Sequence, residues 1–187
     1  MESTRNAFSF GGFSLELVCD SAVLDGLDCG DSDLNEYFTK DSAAYRAELF
    51  TQTYVIREQG RPTSPILAAV DFCNDAILSR SMRRTDRKSI PFSKRGFRFY
   101  PAVKITRLGV QREFQKCGIG SGALNLIKRF FLTDNRTGCR FITVDAYNAV
   151  VHFYEHNGFR RFSESGADAE ASPTTPLFFD LATIRLD

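Results

Sequence analysis

The feature that most constrains this chain is a glycine-broken turn between a buried strand and an amphipathic helix. The stretch runs from Val103 to Leu132, where VKITRLGV predicts the strand, QREFQKCGIGSG the turn and ALNLIKRFFL the helix. Such a turn directs several backbone N–H groups at one point in space. The positive end of the helix dipole, worth roughly half a unit charge, faces the same point. The stretch therefore predicts a binding site for a phosphate group.

The helix after the turn has an apolar face with a helical period. Apolar residues recur every three or four positions, at Ile119, Ala123, Leu126/Ile127 and Phe130/Phe131. The polar residues between them are expected to face away from the core, namely Ser121, Asn125, Lys128 and Arg129. One side of this helix is therefore predicted to pack on the interior.

The rest of the chain alternates between short strands and helices. Phe13–Cys19 predicts a first strand, and Asp33 with Glu36 has the spacing of a capping box that starts a helix. The remaining predicted elements are a hairpin of Thr51–Arg57 and Ile66–Phe72, a strand over Phe141–Ala146, a short helix over Val150–His156, a loop over Ser163–Thr175 and a last strand over Leu177–Leu181. This order indicates a mixed α/β (α+β) sheet, and no linker divides residues 1–187, so a single domain is expected.

Composition limits the class of protein. Of the 187 residues, 43% are apolar and 25% charged, as in soluble globular domains. The residues before the first strand do not have the pattern of a signal peptide, so none is expected, and no apolar run reaches the roughly 18 residues of a membrane helix. The five cysteines are odd in number and contain no CxxC pair, which argues against a disulfide framework or a zinc site. Free thiols in the cytoplasm, without a metal or a membrane, are expected.

One stretch is strongly basic although the whole chain has a net charge of only +1. Between Arg80 and Lys104 there are nine basic residues and one acid, Asp86. Phenylalanine and tyrosine residues interleave with them, at Phe92, Phe97, Phe99 and Tyr100. The pattern fits either a solvated loop with a basic bias or a surface that faces a polyanion such as a nucleic acid.

Two short motifs point to other chemistries. Gly118-Ile-Gly120-Ser-Gly122-Ala123 fits the G-x-G-x-x-A pattern of dinucleotide enzymes, with Asp145 about twenty residues later. Seven residues separate Val110 from the first glycine, however, and about 70 residues remain for the rest of a dinucleotide fold, which argues against that class. The sequence from His152 to His156 matches the zinc pattern H-x-x-E-H, but it is only five residues long and lacks a third ligand. A third interpretation of the glycine turn is that it only connects a strand to a packed helix.

A second signal follows the next strand. Gln115-Lys-Cys-Gly118-Ile-Gly120 fits a Q/R-x-x-G-x-G/A fingerprint, and Asn148, Phe153, Tyr154, Gly158 and Phe159 fit N-x-x-A-x-F-Y-x-x-x-G-F, with Val151 in place of alanine. Together, over Val103–Phe162, these motifs resemble the GCN5-related N-acetyltransferase (GNAT) family. The resemblance implies a GNAT-like acyl-CoA N-acyltransferase fold, with a central, mostly antiparallel sheet flanked by helices. It also implies direct transfer of an acetyl group from acetyl-CoA to a primary amine.

The resemblance also assigns roles to residues. The pyrophosphate of acetyl-CoA would bind at the turn and the pantetheine arm along the preceding strand. The implied cofactor-binding residues are Leu108, Gly109, Val110, Gln115, Lys116, Cys117, Gly118, Ile119, Gly120, Ser121 and Asn148. Tyr154 would be the general acid that protonates the leaving thiolate. Many relatives form homodimers, so a second copy is an implied partner. A non-catalytic acyl-CoA-binding or sensor module is the alternative of another class.

The acceptor is less constrained, and the sequence singles out no general base. At pH 7 an α-amino group with a pKa of ~8 is roughly 10% neutral, whereas a lysine amine at ~10.4 is about 0.04% neutral. A site without a strong base therefore suits an α-amine better. The segment from Cys29 to Phe38 also resembles the toxin branch of the family, which acetylates aminoacyl-tRNA and is restrained by an antitoxin protein. That resemblance implies a tRNA surface at Arg80–Lys104 and an antitoxin partner.

Overall fold

A computed structural model describes residues 7–133, 135, 137–163 and 172–184. The chain divides into two compact units. The first comprises Met1–Cys73 and Ile105–Asp134, and the second comprises Asn74–Lys104 and Asn135–Asp187. A single domain over the whole chain stays a prediction, and each unit is described separately below.

The strands of the first unit are hydrogen-bonded in chain order. They are β1 (Ala7–Phe10), β2 (Phe13–Leu17), β3 (Gln52–Glu58), the first residues of β4 (Ala68–Leu78) and the last residues of β5 (Phe99–Val110). The pairs β1–β2, β2–β3 and β3–β4 are antiparallel. The predicted hairpin is therefore present, as β3 and β4.

Helices α1 (Ser32–Glu36) and α2 (Ser42–Ala47) follow a loop after β2, and a single π-type turn, Tyr37–Asp41, separates them. The N-cap of α1 is Asp31, whose carboxylate accepts the Leu34 N–H at 3.0 Å. The predicted capping box at Asp33 was wrong, because the acid two residues earlier reaches the open N–H groups instead.

The long helix of the first unit is α4 (Ile119–Thr133). Its predicted apolar face is buried except for the half-buried Ile119, and Phe130 and Phe131 contact aromatic rings of the strands, Phe8, Tyr54 and Phe72. Lys128 was predicted to face solvent, but its exposed fraction is 6%. Burial lowers the pKa of Lys128 from its ordinary value to about 8, because the interior disfavours the charged ammonium.

The second unit contains the end of β4, the start of β5, and then β6 (Phe141–Tyr147), β8 (Thr174–Asp180) and β7 (Arg160–Arg161), in that spatial order. The pairs β6–β8 and β7–β8 are antiparallel. Helices α3 (Arg84–Arg87) and α5 (Val151–His156) complete the unit. Its core is an apolar cluster of Ile77, Met82, Ile90, Tyr100, Ala102, Phe141 and Phe178.

The predicted fold class is confirmed, since the sheet is mostly antiparallel with one parallel pair and helices flank it. The predicted bounds were less accurate. β4 continues to Leu78 rather than Phe72, β5 begins at Phe99 rather than Val103, and β1 was not predicted. Polar residues interrupt the alternation of β4, at Asp71, Asn74 and Asp75, although the strand continues to Leu78. The predicted loop Ser163–Thr175 lies mostly outside the described residues.

No helix in the described part of the chain has both the length and the apolar character needed to cross a membrane.

Candidate functional site

The turn that follows β5 has an unusual backbone. A short 3-10 turn, Arg112–Phe114, follows the strand, and α4 begins at Ile119. Between them Lys116 has φ 61° and Gly118 has φ 82°, both in the left-handed region. This region costs a non-glycine residue roughly 1–2 kcal/mol, so the surrounding structure must hold Lys116 in place. The first N–H groups of the 15-residue helix have no acceptor within the helix.

Two glutamine side chains hold the turn. The Gln115 amide nitrogen donates to the Cys29 carbonyl at 2.7 Å and to the Val110 carbonyl at 3.0 Å. The Gln111 side-chain oxygen accepts the Asp28 N–H at 2.9 Å, and the Arg112 N–H donates to the Asp28 carbonyl at 2.7 Å. The turn is therefore tied to the loop before α1. The side chain of Gln115 supports the turn, and its own backbone N–H donates to the Arg112 carbonyl.

An ion pair beside the turn changes the local charge. The Arg112 guanidinium lies 3.3 Å from the Asp28 carboxylate, which also accepts from the Asn35 amide at 2.9 Å. Hydrogen bonds from Asn35 and the Gly30 N–H, with the charge of Arg112, lower the pKa of Asp28. Arg112 is therefore partly neutralised, and the exposed Lys116 is the cation that extends from the turn itself.

Gly109 is a glycine for a packing reason. A Cβ at this position would overlap the Cys29 sulfur and would lie 3.3 Å from a ring carbon of Phe38. The neighbours Leu108 and Val110 are half-buried. Cys29 itself is buried, and desolvation, with the charges of Asp28 and Asp31, raises the pKa of its thiol to about 11. Cys117, in the turn, is an exposed free thiol.

In the second unit, Tyr154 lies on α5 and has an exposed fraction of 6%. Its ring makes edge-to-face contacts with Phe153 at 5.1 Å and Phe159 at 5.4 Å between centroids. Burial raises the pKa of Tyr154 above its ordinary value, so the phenol is protonated at neutral pH. Within the described residues the Tyr154 hydroxyl makes no hydrogen bond. The described residues therefore leave the Tyr154 proton unengaged.

Asn148 lies at the end of β6 in the same unit. Its amide nitrogen donates to the Ser172 carbonyl at 2.9 Å, and its amide oxygen accepts from the Thr175 hydroxyl at 2.8 Å. A side-chain amide has two N–H donors and two acceptor lone pairs. Asn148 is thus fixed by its own unit, and within the described residues one of its donors and one of its acceptor lone pairs make no further bond.

The sequence reasoning missed a buried polar cluster in the first unit. Asp71 is fully buried in β4 and accepts hydrogen bonds from the hydroxyls of Tyr37, Thr53 and Thr106, the last at 3.2 Å. The Arg107 guanidinium lies over the Tyr37 ring at 4.8 Å. Burial and the Asp71 hydrogen bond raise the pKa of Tyr37 above its ordinary value. The signal was one acid inside an apolar run, LAAVDF.

The zinc motif has other uses in the structure. Glu155 forms an ion pair with Arg161 at 2.8 Å, and both His152 and His156 are exposed. Among the described residues, no group of three or more His, Cys, Asp or Glu side chains could hold a metal ion.

Comparisons with known proteins agree on one family. The family model described as "Acetyltransferase (GNAT) family" matches residues 34–159. Comparison with curated proteins finds no match. Among solved structures, AtaT complexed with acetyl-methionyl-tRNAfMet is 20% identical, with a TM-score of 0.71 over 91% of this chain and 96% of that one. A Tyr→Phe mutant of KacT is 18% identical, with a TM-score of 0.71 over 92% and 97% of the chains.

A further similar structure is AtaTR bound with AcCoA, which is 20% identical with a TM-score of 0.64 over 92% of this chain and 95% of that one. At these identities the likeness to solved structures establishes the fold alone.

Proposed function

We propose that this chain, which belongs to the acetyltransferase (GNAT) family, transfers an acetyl group from acetyl-CoA to a primary amine. The observation that carries the proposal is the turn between β5 and α4, where left-handed backbone at Lys116 and Gly118 leads into the N-terminus of a long helix. The family match covers this turn. Backbone N–H groups at such a point suit the pyrophosphate of the donor.

The residues of the turn fit this ligand. Gly118 and Gly120 let a phosphate oxygen approach the backbone without meeting a Cβ, and nothing lies within 4 Å of where a Cβ of Gly118 would be. Lys116 adds a positive charge, and Cys117, Ile119 and Ser121 contribute backbone. Leu108, Gly109 and Val110 would hold the pantetheine arm through their main chain. Acetyl-CoA supplies the thioester, and no metal is part of the proposal.

On the second unit, Tyr154 would donate its proton to the departing thiolate sulfur, and Asn148 would use its remaining donor and acceptor on the arm. The acceptor amine must be neutral to attack the acetyl carbonyl, and it loses a proton as the amide bond forms. The donor then leaves as free CoA. The phenol of Tyr154 carries its proton at neutral pH, as a donor must, although its raised pKa makes it a weaker acid than an ordinary tyrosine.

For the acceptor, we propose the α-amine of an aminoacyl-tRNA, within the cytoplasm. The fold likeness to the AtaT structure with acetyl-methionyl-tRNAfMet extends over more than 90% of each chain and supports this class. The pKa argument favours an α-amine, and the basic stretch Arg80–Lys104 offers charge to a nucleic acid. A Tyr→Phe mutant of the AtaT toxin has been solved bound to the C-terminus of the antitoxin AtaR, so an antitoxin partner is part of the proposal. A homodimer is a further proposal from the family.

The test combines binding and turnover. Titration calorimetry with acetyl-CoA should show binding to the intact chain and to Tyr154→Phe, since the substitution removes one hydroxyl from a packed ring. Incubation with acetyl-CoA and charged tRNA should then give N-acetyl-aminoacyl-tRNA by mass spectrometry, with a rate at least tenfold lower for Tyr154→Phe. A peptide carrying only lysine amines is the control acceptor.

Each result separates the alternatives. Absence of acetyl-CoA binding would refute the donor site and the acetyltransfer together. Binding without turnover on charged tRNA or any other amine would favour an acyl-CoA-binding or sensor module. Acetylation of the lysine peptide but not of charged tRNA would retain the enzyme and refute the acceptor.

A further inference from the structure

Three phenylalanine rings lie exposed within eight residues of the second unit. The exposed fractions are 85% for Phe92, 50% for Phe97 and 50% for Phe99. We call residues 92–99 the aromatic segment. Exposed aromatic side chains that cluster in this way commonly mark a binding surface, because burying them against a partner is favourable.

Each of these rings has a cation beside it. The Arg95 guanidinium lies 5.8 Å from the centroid of Phe92, and the Arg98 guanidinium lies 5.2 Å from that of Phe99. The ammonium of Lys94 lies 5.2 Å from the centroid of Phe97. The segment therefore presents flat π surfaces and positive charges in alternation.

Arg95 ties the aromatic segment to the core of the unit. The Arg95 guanidinium donates to the carbonyls of Ile90 at 2.8 Å and Lys88 at 2.9 Å, and the Tyr100 hydroxyl donates to the Arg95 carbonyl at 3.2 Å. Ile90 and Tyr100 belong to the core of the unit. The exposed rings are thus displayed by an anchored segment.

Within the stretch from Arg80 to Lys104, the exposed charges all have one sign. Asp86, the one acid between Arg80 and Lys104, has an exposed fraction of 6% and is paired with Arg160. The basic residues of the stretch include exposed side chains at Arg80, Arg83, Arg84, Lys88, Lys94, Arg95 and Arg98. A partner that satisfies this surface must carry repeated negative charge together with flat rings, and single-stranded nucleic acid has both.

We propose that the aromatic segment binds single-stranded RNA, with bases stacked on Phe92, Phe97 and Phe99 and phosphates at the neighbouring cations. Unpaired bases stack on exposed aromatic rings, whereas bases in a duplex are already stacked on one another. The inference deepens the proposed function, on which its biological setting rests, because the aminoacyl group of a charged tRNA sits on an unpaired 3′ end. The inference is that the unpaired 3′ end of the tRNA contacts the side chains of the aromatic segment.

The test is fluorescence anisotropy with the full chain and a labelled single-stranded RNA hexamer ending in CCA, compared with the same strand in a blunt duplex. We expect the single strand to bind at least tenfold more tightly than the duplex. Phe92→Ala and Phe97→Ala should each weaken single-strand binding by about fivefold or more, while Phe92→Tyr should preserve it. Far-ultraviolet circular dichroism and thermal unfolding show whether each variant is folded.

Phe10→Ala is the matched control, because Phe10 is 40% exposed and the Arg129 guanidinium lies 5.0 Å from its ring centroid in the first unit. Phe10→Ala therefore also removes an exposed ring beside an arginine, but outside the aromatic segment. It should leave the affinity for RNA unaltered.

Equal affinity for single-stranded and duplex RNA would overturn the proposal that bases stack on these rings. RNA affinity that depends on salt but is unchanged by the Phe→Ala substitutions would overturn it too. If the chain binds anionic phosphatidylserine vesicles but not RNA, and the same variants abolish vesicle binding, the RNA proposal is overturned in favour of a lipid surface. Acetyl-CoA calorimetry on the same variants keeps the two proposals separate. RNA binding can fail while acetyl-CoA still binds, and acetyl-CoA binding can fail while the RNA still binds.

Discussion

The contact at Gly109 gives the sharpest quantitative prediction. In Gly109→Ala, the new methyl group would overlap the Cys29 sulfur and come within 3.3 Å of Phe38. Overpacking of this kind costs about 1–3 kcal/mol. For a chain of this size, each kcal/mol lowers the melting temperature by roughly 2–4 °C. We expect Gly109→Ala to melt about 5 °C lower than the original chain.

The control is Cys29→Ala, which removes the sulfur. Alone it should cost about 1–2 kcal/mol, because it opens a small cavity in the core. In the Cys29→Ala background, the methyl group of Gly109→Ala enters that space, so its cost should fall by about 1–2 kcal/mol. A double-mutant cycle in urea measures this coupling free energy.

The cycle also separates packing from ligand approach, because acetyl-CoA affinity can be measured for each variant. If Gly109 is required only for packing, the double variant should recover both stability and affinity. Recovery of stability without affinity would show that the donor itself needs the bare backbone. An equal cost of Gly109→Ala in both backgrounds would refute the role of the Cys29 sulfur.

Three further predictions follow from other contacts. Iodoacetamide should alkylate both Cys117 and Cys19, because both thiols are exposed. Acetyl-CoA should slow the alkylation of Cys117 alone, because only Cys117 lies in the proposed donor site. Equal protection of both thiols, or protection of neither, would contradict that site. Lys128→Met should stabilise the chain by about 1–3 kcal/mol at pH 7. This gain in stability should shrink as the pH rises from 8 to 10.5, because in that range Lys128 is neutral in the folded chain but still protonated in the unfolded chain. Urea unfolding at pH 7 and at pH 10 measures the gain. An equal gain at both pH values would refute the cost assigned to burying Lys128. Tyr37→Phe removes a hydrogen bond to the buried Asp71 carboxylate and should cost about 2 kcal/mol in urea unfolding, whereas a neutral result would show that the remaining hydroxyls suffice.

The parts of the fold with strong local signals could be predicted from the sequence. The glycine turn and the helix after it have a clear apolar period, and the short motif around Tyr154 fixes α5. The family followed from these two segments because the backbone of each is dictated locally, by glycine conformations and helical periodicity. The roles of Tyr154, Asn148 and the turn residues stay predictions, which the experiments above test.

Other features depend on contacts between residues far apart in sequence. Lys128 was placed on the solvent side because a charged residue usually is, but the packing around α4 buries it. Asp71 lies inside the predicted strand Ile66–Phe72, but its burial was not predicted, because the hydroxyls of Tyr37, Thr53 and Thr106 that make a buried carboxylate tolerable come from other elements. Gln115 belongs to the fingerprint of the proposed cofactor site, and the sequence did not show that its side-chain amide donates to two backbone carbonyls.

The bonds between the turn and the loop before α1 have a thermodynamic consequence. Asp28 and Cys29 lie ahead of residues 34–159, which the family model matches, yet they accept or donate three of the bonds that hold the turn. If the turn binds an anion as proposed, displacing this loop should weaken that binding, and by linkage a bound anion should resist the displacement with the same free energy. A partner that displaces the loop before α1 would therefore compete with the proposed donor without contacting it.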